Sequence, residues 1–160
     1  MNKTTIDAVR KLKNSGTPFA ALTAYDYSSA KLVDEAGIPI ILVGDSAAMV
    51  VLGHQTTLPV TMGEMIMLAS AVTRGVTSAL VVGDMPFMSY QASVEDAVRS
   101  AGRFIQKAHV GAVKLEGGSF VRPQISAIVK CGIPVMGHVG LTPQSVHQMS
   151  GYRIQGKSES

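Results

Sequence analysis

Short apolar segments rich in β-branched residues recur roughly every 20 to 40 residues, and most stretches between them have helical periodicity. This alternation predicts an α/β fold made of repeated βα units around a parallel sheet. Residues 39–43 are almost wholly aliphatic, which is typical of a parallel strand covered on both faces. No linker, charge block or low-complexity stretch interrupts the pattern. We therefore expect one domain over residues 1–160 that begins with a short N-terminal helix.

The apolar segments and the caps between them define the predicted elements. Strands are expected at residues 19–25, 39–43, 79–82, 113–116 and 134–138. Helices are expected at residues 5–13, 28–36, 61–74, 93–108 and 120–130. Thr61 and Ser93 are typical N-cap residues for two of these helices.

The residues at the strand ends distinguish the two architectures that fit this pattern, an open doubly wound sheet and a (β/α)8 barrel. An open sheet concentrates its ligand contacts at one switch point, whereas a barrel brings the carboxyl ends of all its strands to one mouth. All five predicted strands end in polar or ionisable residues: Thr23 and Tyr25, Asp45 and Ser46, Asp84, Lys114 and Glu116, and His138. The barrel is therefore favoured.

The predicted barrel is incomplete. About five βα units are present, and a barrel of this type needs eight strands. The polar, glycine-rich segment at residues 151–160 is typical of the beginning of a loop. We therefore expect an incomplete TIM barrel, whose remaining units are missing from a fragment or a truncated product.

Carboxylates at the strand ends predict a cation site. Asp45 and Asp84 each follow a glycine at the end of an apolar strand, and two converging carboxylates suit a hard cation such as Mg²⁺. Glu116 can add a third carboxylate, and alternation along the strand places Lys114 on the same face. The alternative is that Asp45 and Asp84 are helix caps or loop residues. His138 is either a proton-transfer group or a packed, satisfied side chain.

Composition excludes several other classes. The 14 Lys and Arg against 11 Asp and Glu give a net charge of only +3 and form no basic stripe, which argues against nucleic-acid binding. No run reaches the ~18 apolar residues that span a bilayer, and no secretory signal is visible, so a cytoplasmic protein without membrane contact is expected. The single Cys131 fits a reducing compartment and is expected to pack in the interior.

The strand-end motifs resemble the N-terminal part of the ketopantoate hydroxymethyltransferase family over most of the chain. The segments that carry the resemblance are TAYDYS at 23–28, VGDS at 43–46, TLPVT at 57–61, VKLEGG at 113–118 and GHVGLTPQS at 137–145. Each motif is weak alone, but five in order at compatible spacing are specific. The resemblance implies a (β/α)8 barrel and a homo-oligomer.

The resemblance also implies an activity. The family transfers a hydroxymethyl group from 5,10-methylenetetrahydrofolate to 3-methyl-2-oxobutanoate, giving 2-dehydropantoate (ketopantoate) for pantothenate biosynthesis. Mg²⁺ chelated by the 2-oxo acid stabilises the enolate that forms when the C3 proton leaves. The family's general-base Glu is expected beyond Ser160, and a general base contributes roughly 10²–10⁴-fold. We therefore expect reduced turnover from this chain alone.

Residue roles follow from the same resemblance. Asp45 and Asp84 are expected to bind both Mg²⁺ and the substrate. Glu116 is expected near or on the metal. The remaining roles are a substrate contact for Ser46, a substrate contact and a catalytic role for Lys114, and a catalytic role for His138.

Two alternatives remain open. A relative from the isocitrate lyase and phosphoenolpyruvate mutase group would perform Mg²⁺-dependent lyase or mutase chemistry on a 2-oxo acid. A truncated, non-catalytic assembly subunit would bind neither the ion nor the oxo acid.

Overall fold

The computed structural model describes residues 3–156, and its centre is a five-stranded parallel sheet. The strands are β1 (Ala21–Thr23), β2 (Ile40–Val43), β3 (Leu80–Asp84), β4 (Ala112–Glu116) and β5 (Val135–His138). Each strand pairs with the next strand in the chain, in the order β1-β2-β3-β4-β5. A doubly wound sheet reverses its order at a switch point, whereas a barrel wall does not. The observed order is therefore that of a barrel wall.

Helices connect the strands much as the sequence predicts. They are α1 (Ile6–Asn14), α2 (Tyr27–Glu35), α3 (Ala47–Val50), α4 (Met62–Gly75), α5 (Val94–Arg103) and α6 (Arg122–Lys130). A π-helical turn (Phe104–Ala108) extends α5 to the predicted end, and a 3-10 turn (Gly118–Val121) precedes α6. A second 3-10 turn (Pro143–Ser145) follows β5.

Helix α4 begins at the predicted cap. The Thr61 hydroxyl accepts from the Glu64 N–H at 3.3 Å, and the Glu64 carboxylate accepts from the Thr61 N–H at 2.7 Å. This reciprocal pair is a capping box, which satisfies two N–H groups that a helix start would otherwise leave free. Ser93 caps α5 through its hydroxyl, which accepts from the Asp96 N–H at 3.0 Å. Both predicted caps are confirmed.

Alternation along the strands divides the core into two layers. The larger layer lies between the sheet and the helices, and Phe104 and Met65 are among its fully buried side chains. The smaller layer lies on the opposite face of the sheet, where Ile6 and Val9 of α1 pack against it; its buried residues are Ile40, Leu80, Val82 and Ala112. Two residues further along β3 and β4 on this inner face come Asp84 and Lys114. The charged residues therefore lie next to this smaller apolar layer, at the carboxyl ends of the strands.

Three predictions differ from the structure or extend beyond the residues that it describes. Predicted strand 19–25 is shorter, because β1 is an edge strand that pairs only with β2 over three residues. The predicted packing of Cys131 is wrong, since it is exposed in the turn that ends α6. Of the predicted loop at 151–160, residues 151–156 contain no helix or strand, and residues 157–160 lie outside the described residues.

Among residues 3–156, every helix is too short or too polar to cross a bilayer.

Asp34 of α2 ties the segment before β3 to the helix layer. Its buried carboxylate accepts the backbone N–H groups of Thr77, Ser78 and Ala79 and the hydroxyls of Thr77 and Ser78, at 2.7–3.2 Å. Burial acts to raise the pKa of Asp34, but these hydrogen bonds outweigh it and lower the pKa to about 2. The ionised form is therefore stabilised by folding.

Replacing Asp34 with asparagine is expected to lower the free energy of unfolding by about 2–4 kcal/mol at pH 7, because several buried donors lose a charged acceptor. The folded-state pKa lies below the unfolded one, so the Asp34 contribution is present above about pH 4 and is lost as the pH falls towards 2. Urea denaturation at several pH values measures both effects. The exposed variant Asp7→Asn is the control, and equal midpoints for the two variants contradict this role of Asp34.

Candidate functional site

Four buried charged residues meet at the carboxyl ends of β2, β3 and β4, and we call them the carboxylate cluster: Asp45, Asp84, Lys114 and Glu116. None of the four is more than 8% exposed. Asp84 ends β3, and its register partner on β4 is Lys114. Glu116 follows two positions later and so lies on the same face of the strand. The residues that the sequence predicts to converge are therefore brought together.

Lys114 is the positive centre of the carboxylate cluster. Its Nζ donates to Asp84 Oδ1 at 2.7 Å and Oδ2 at 2.9 Å, and to Glu116 Oε1 at 3.4 Å. Burial acts to lower the pKa of Lys114, but the Asp84 and Glu116 carboxylates outweigh it and raise that pKa. Burial raises the pKa of Asp84 to about 7, although the Lys114 ammonium opposes this shift. The short contacts to both Asp84 oxygens identify the pair as an ion pair.

Asp45 joins the carboxylate cluster from the loop after β2. Its backbone N–H donates to Asp84 Oδ2 at 3.1 Å, and its own Oδ2 accepts from Gln144 Nε2 at 2.9 Å. Burial raises the pKa of Asp45, and the neighbouring Glu116 charge adds to this effect. The two aspartates are therefore neighbours rather than separate loop caps.

The donor set fits a divalent cation chemically. Three carboxyl groups face a single ammonium, that of Lys114, in a buried site, so ionisation of all three would leave two negative charges uncompensated. Carboxylate oxygens are the ligands that Mg²⁺ prefers, and a divalent ion would balance that excess. Among residues 3–156, however, no three His, Cys, Asp or Glu side chains already have the arrangement of metal ligands. Lys114 and Gln144 occupy the positions between the carboxylates instead.

His138 and Ser46 lie at the edge of the carboxylate cluster. His138, the register partner of Glu116, places Nδ1 3.1 Å from Glu116 Oε1 and remains half-buried. The Ser46 hydroxyl shares a 2.8 Å hydrogen bond with the Tyr25 hydroxyl. A Cβ on Gly44 would lie 2.8 Å from Ser46 Oγ and 3.8 Å from Asp84 Oδ2, so glycine allows these side chains to approach each other.

Two residues of the site are missing from the sequence-based prediction. The buried Tyr90 hydroxyl donates to Gln144 Oε1 at 2.7 Å and accepts the Glu116 N–H at 3.1 Å. Gln144 falls within a motif that carries the family resemblance, which is a signal that it has a role. Tyr90 lies in a loop, where no periodicity marks it. A cavity of about 460 Å³ opens beside these residues, and Phe87 and Phe120 also line it.

Solved structures with a similar fold support the barrel assignment. A phosphonopyruvate hydrolase, in a complex with oxalate and Mg²⁺, matches with a TM-score of 0.68 and 17% identity, over 94% of this chain and 56% of that one. A 2,3-dimethylmalate lyase, a member of the PEP mutase/isocitrate lyase superfamily, matches with a TM-score of 0.65 and 20% identity, over 95% and 56%. Identities this low show the fold alone. The predicted fold class, a partial barrel of the TIM type, is confirmed.

Sequence relatives are much closer. A 3-methyl-2-oxobutanoate hydroxymethyltransferase of Clostridium botulinum (strain Langeland / NCTC 10281 / Type F) is 59% identical over 157 residues, covering 98% of this chain and 57% of the relative. The enzyme of that name from Clostridium kluyveri is 59% identical over 160 residues, covering 100% and 57%. The chain therefore spans little more than half the length of these relatives. The profile of the family described as ketopantoate hydroxymethyltransferase matches residues 3–160, so this chain belongs to that family.

Proposed function

We propose that this chain takes part in transferring a hydroxymethyl group from 5,10-methylenetetrahydrofolate to 3-methyl-2-oxobutanoate, which gives 2-dehydropantoate for pantothenate biosynthesis. The relatives that are 59% identical carry the name of this activity. The observation that carries the proposal is the carboxylate cluster, because it places Asp84 against Lys114 and Asp45 at the mouth of the barrel. In barrels of this type, catalytic groups lie at that end of the strands.

The proposed metal is Mg²⁺, held by Asp45 and Asp84 with Glu116 near or on it. When bound, Mg²⁺ would supply positive charge that polarises the oxo group of the substrate. The carboxylate cluster has three carboxyl groups beside a single ammonium, and this set of oxygen donors supports a divalent ion over a neutral ligand.

Lys114 and Ser46 are proposed to bind the 2-oxo acid. Lys114 is buried against Asp84, so its ammonium stays charged and fixed in position. When C3 loses its proton, negative charge develops on the keto oxygen, and a preorganised ammonium nearby stabilises that charge. Ser46, hydrogen-bonded to Tyr25, offers a hydroxyl to the substrate carboxylate.

His138 is proposed to contact the substrate through its second ring nitrogen, because Glu116 occupies Nδ1. The C3–H bond breaks, a bond from C3 to the one-carbon unit forms, and water supplies the hydroxyl as tetrahydrofolate leaves. We propose that the carboxylate that accepts the C3 proton is a Glu beyond Ser160.

Calorimetry is expected to show that the chain binds Mg²⁺ and that 3-methyl-2-oxobutanoate binds only when Mg²⁺ is present. Removal of the ion with EDTA should abolish oxo-acid binding. Product formation should require 5,10-methylenetetrahydrofolate, and turnover should rise by roughly 10²–10⁴-fold in a longer protein that supplies the general base. Absence of Mg²⁺ binding contradicts the proposal.

The alternatives give different results in the same assays. A lyase or mutase of the isocitrate lyase group would convert its substrate without the folate donor. An assembly subunit would form oligomers in size-exclusion chromatography without binding Mg²⁺ or oxo acid. We propose a cytoplasmic homo-oligomer, on the resemblance to the family.

A further inference from the structure

Gln144 connects two carboxylates that lie far apart in the chain. It sits in the 3-10 turn after β5 and is only 7% exposed. Its Nε2 donates to Asp45 Oδ2 and to the Met85 carbonyl oxygen, each at 2.9 Å. Its backbone N–H donates to Glu116 Oε2 at 3.0 Å. One residue therefore contacts the carboxylates of both Asp45 and Glu116.

The orientation of the Gln144 amide is fixed by its neighbours. Oε1 accepts from the Tyr90 hydroxyl at 2.7 Å and from Gln91 Nε2 at 2.9 Å, so all four hydrogen-bonding positions of the amide are used. A 180° flip would turn Oε1 towards the Asp45 carboxylate and the Met85 carbonyl, which only accept hydrogen bonds. The amide therefore presents its N–H donor to Asp45 in one orientation.

Gln144 also holds Oε2 of Glu116, the carboxylate oxygen that Lys114 does not contact. Lys114 and His138 contact Glu116 Oε1, whereas the Gln144 N–H holds Oε2. Both oxygens of this carboxylate are thus oriented from different strands and loops. Hydrogen bonds of this kind set the direction and the basicity of metal-binding side chains.

We infer that Gln144 is a positioning residue of the proposed metal site, which sets the placement of the Asp45 and Glu116 carboxylates through its amide and its backbone N–H. This inference rests on the proposed function, because it assigns Gln144 to the same ion. If Gln144 had only a structural role, its hydrogen bond to the Met85 carbonyl oxygen would hold the segment after β5 in place. Its loss would then lower stability without changing the affinity for the ion.

The test compares Mg²⁺ dissociation constants, measured by calorimetry, for the full chain and its Gln144→Met variant. Methionine keeps the length of the side chain but removes both amide hydrogen-bonding groups. Loss of a group that orients metal ligands typically weakens metal binding by about 10–100-fold, so the Kd is expected to rise at least about tenfold. Gln148→Met, the same change at an exposed position four residues later, should leave the Kd unchanged.

A second variant covers the case in which Gln144→Met does not fold. Gln91→Met removes the donor to Gln144 Oε1 and the 3.4 Å acceptor of the Tyr90 N–H, so it acts on the site through Gln144 and its partner Tyr90 and should raise the Kd about threefold. An unchanged Kd in a folded Gln144→Met variant overturns the inference, as does an unchanged Kd in Gln91→Met if Gln144→Met is unfolded. If the unaltered chain does not bind Mg²⁺, the proposed metal site fails first, and the inference fails with it.

Discussion

Replacing Lys114 with methionine is expected to lower the free energy of unfolding by about 3–5 kcal/mol, because it leaves buried carboxylates without their counter-charge. Lys114 Nζ lies 2.7 Å from Asp84 Oδ1 and 3.4 Å from Glu116 Oε1 in a nearly solvent-free site. Methionine has a similar length and packs well, so the loss reports the missing charge rather than a cavity. Urea denaturation at pH 7 without divalent ions measures it.

Mg²⁺ should restore part of this stability to the Lys114→Met variant. An ion that binds the folded state and not the unfolded state stabilises it by mass action, and the variant has more negative charge to balance. The control is Lys107→Met, which removes an exposed ammonium and should change the free energy of unfolding by no more than about 0.5 kcal/mol. If Lys114→Met unfolds at the same urea concentration as the unaltered chain, the buried ion pair does not carry this stability.

The fold was predictable where local patterns determine it. Segment Ile40–Val43 is aliphatic throughout, which identifies a strand buried on both faces, and Thr61 with Glu64 marks a helix start. The π-helical turn at Phe104–Ala108 was not predictable, because the sequence of this helix carries no local signal for it. Phe104 packs directly on Gly83, where a Cβ would lie 2.6 Å from a ring carbon. Nothing in the local sequence of α5 reports that contact.

The sequence predicts those residues of the site whose positions follow from the alternation of side chains along a strand. Lys114 and Glu116 are two residues apart on β4, so the period of the strand alone puts both on the face that carries Asp84. Gln144 could not be found in this way, because it lies in a turn 99 positions from Asp45. Only the tertiary fold brings these two residues together. Uncharged side chains that orient ionised ones leave no periodic signal.

Replacing Asp84 with asparagine is expected to weaken Mg²⁺ binding by more than about 100-fold, because a direct ligand should matter more than the 10–100-fold typical of residues that only orient ligands. Asparagine keeps the shape of the side chain but removes the charge that the proposed ion requires. Calorimetry on the folded variant measures the change, and Asp7→Asn is the exposed control with the same chemical substitution.

Stability should respond to Asp84→Asn in a different way from Lys114→Met. The cluster then has two carboxyl groups instead of three, and Lys114 keeps Glu116 as a partner at 3.4 Å. Burial already raises the pKa of Asp84 to about 7, so its charge is unfavourable in the ion-free folded state. The free energy of unfolding should therefore change by less than about 1 kcal/mol, within the range of mild substitutions. If the Asp84→Asn variant binds Mg²⁺ as tightly as the unaltered chain, binding of the ion does not require this carboxylate. The role of Asp84 is then only to hold Lys114 in position.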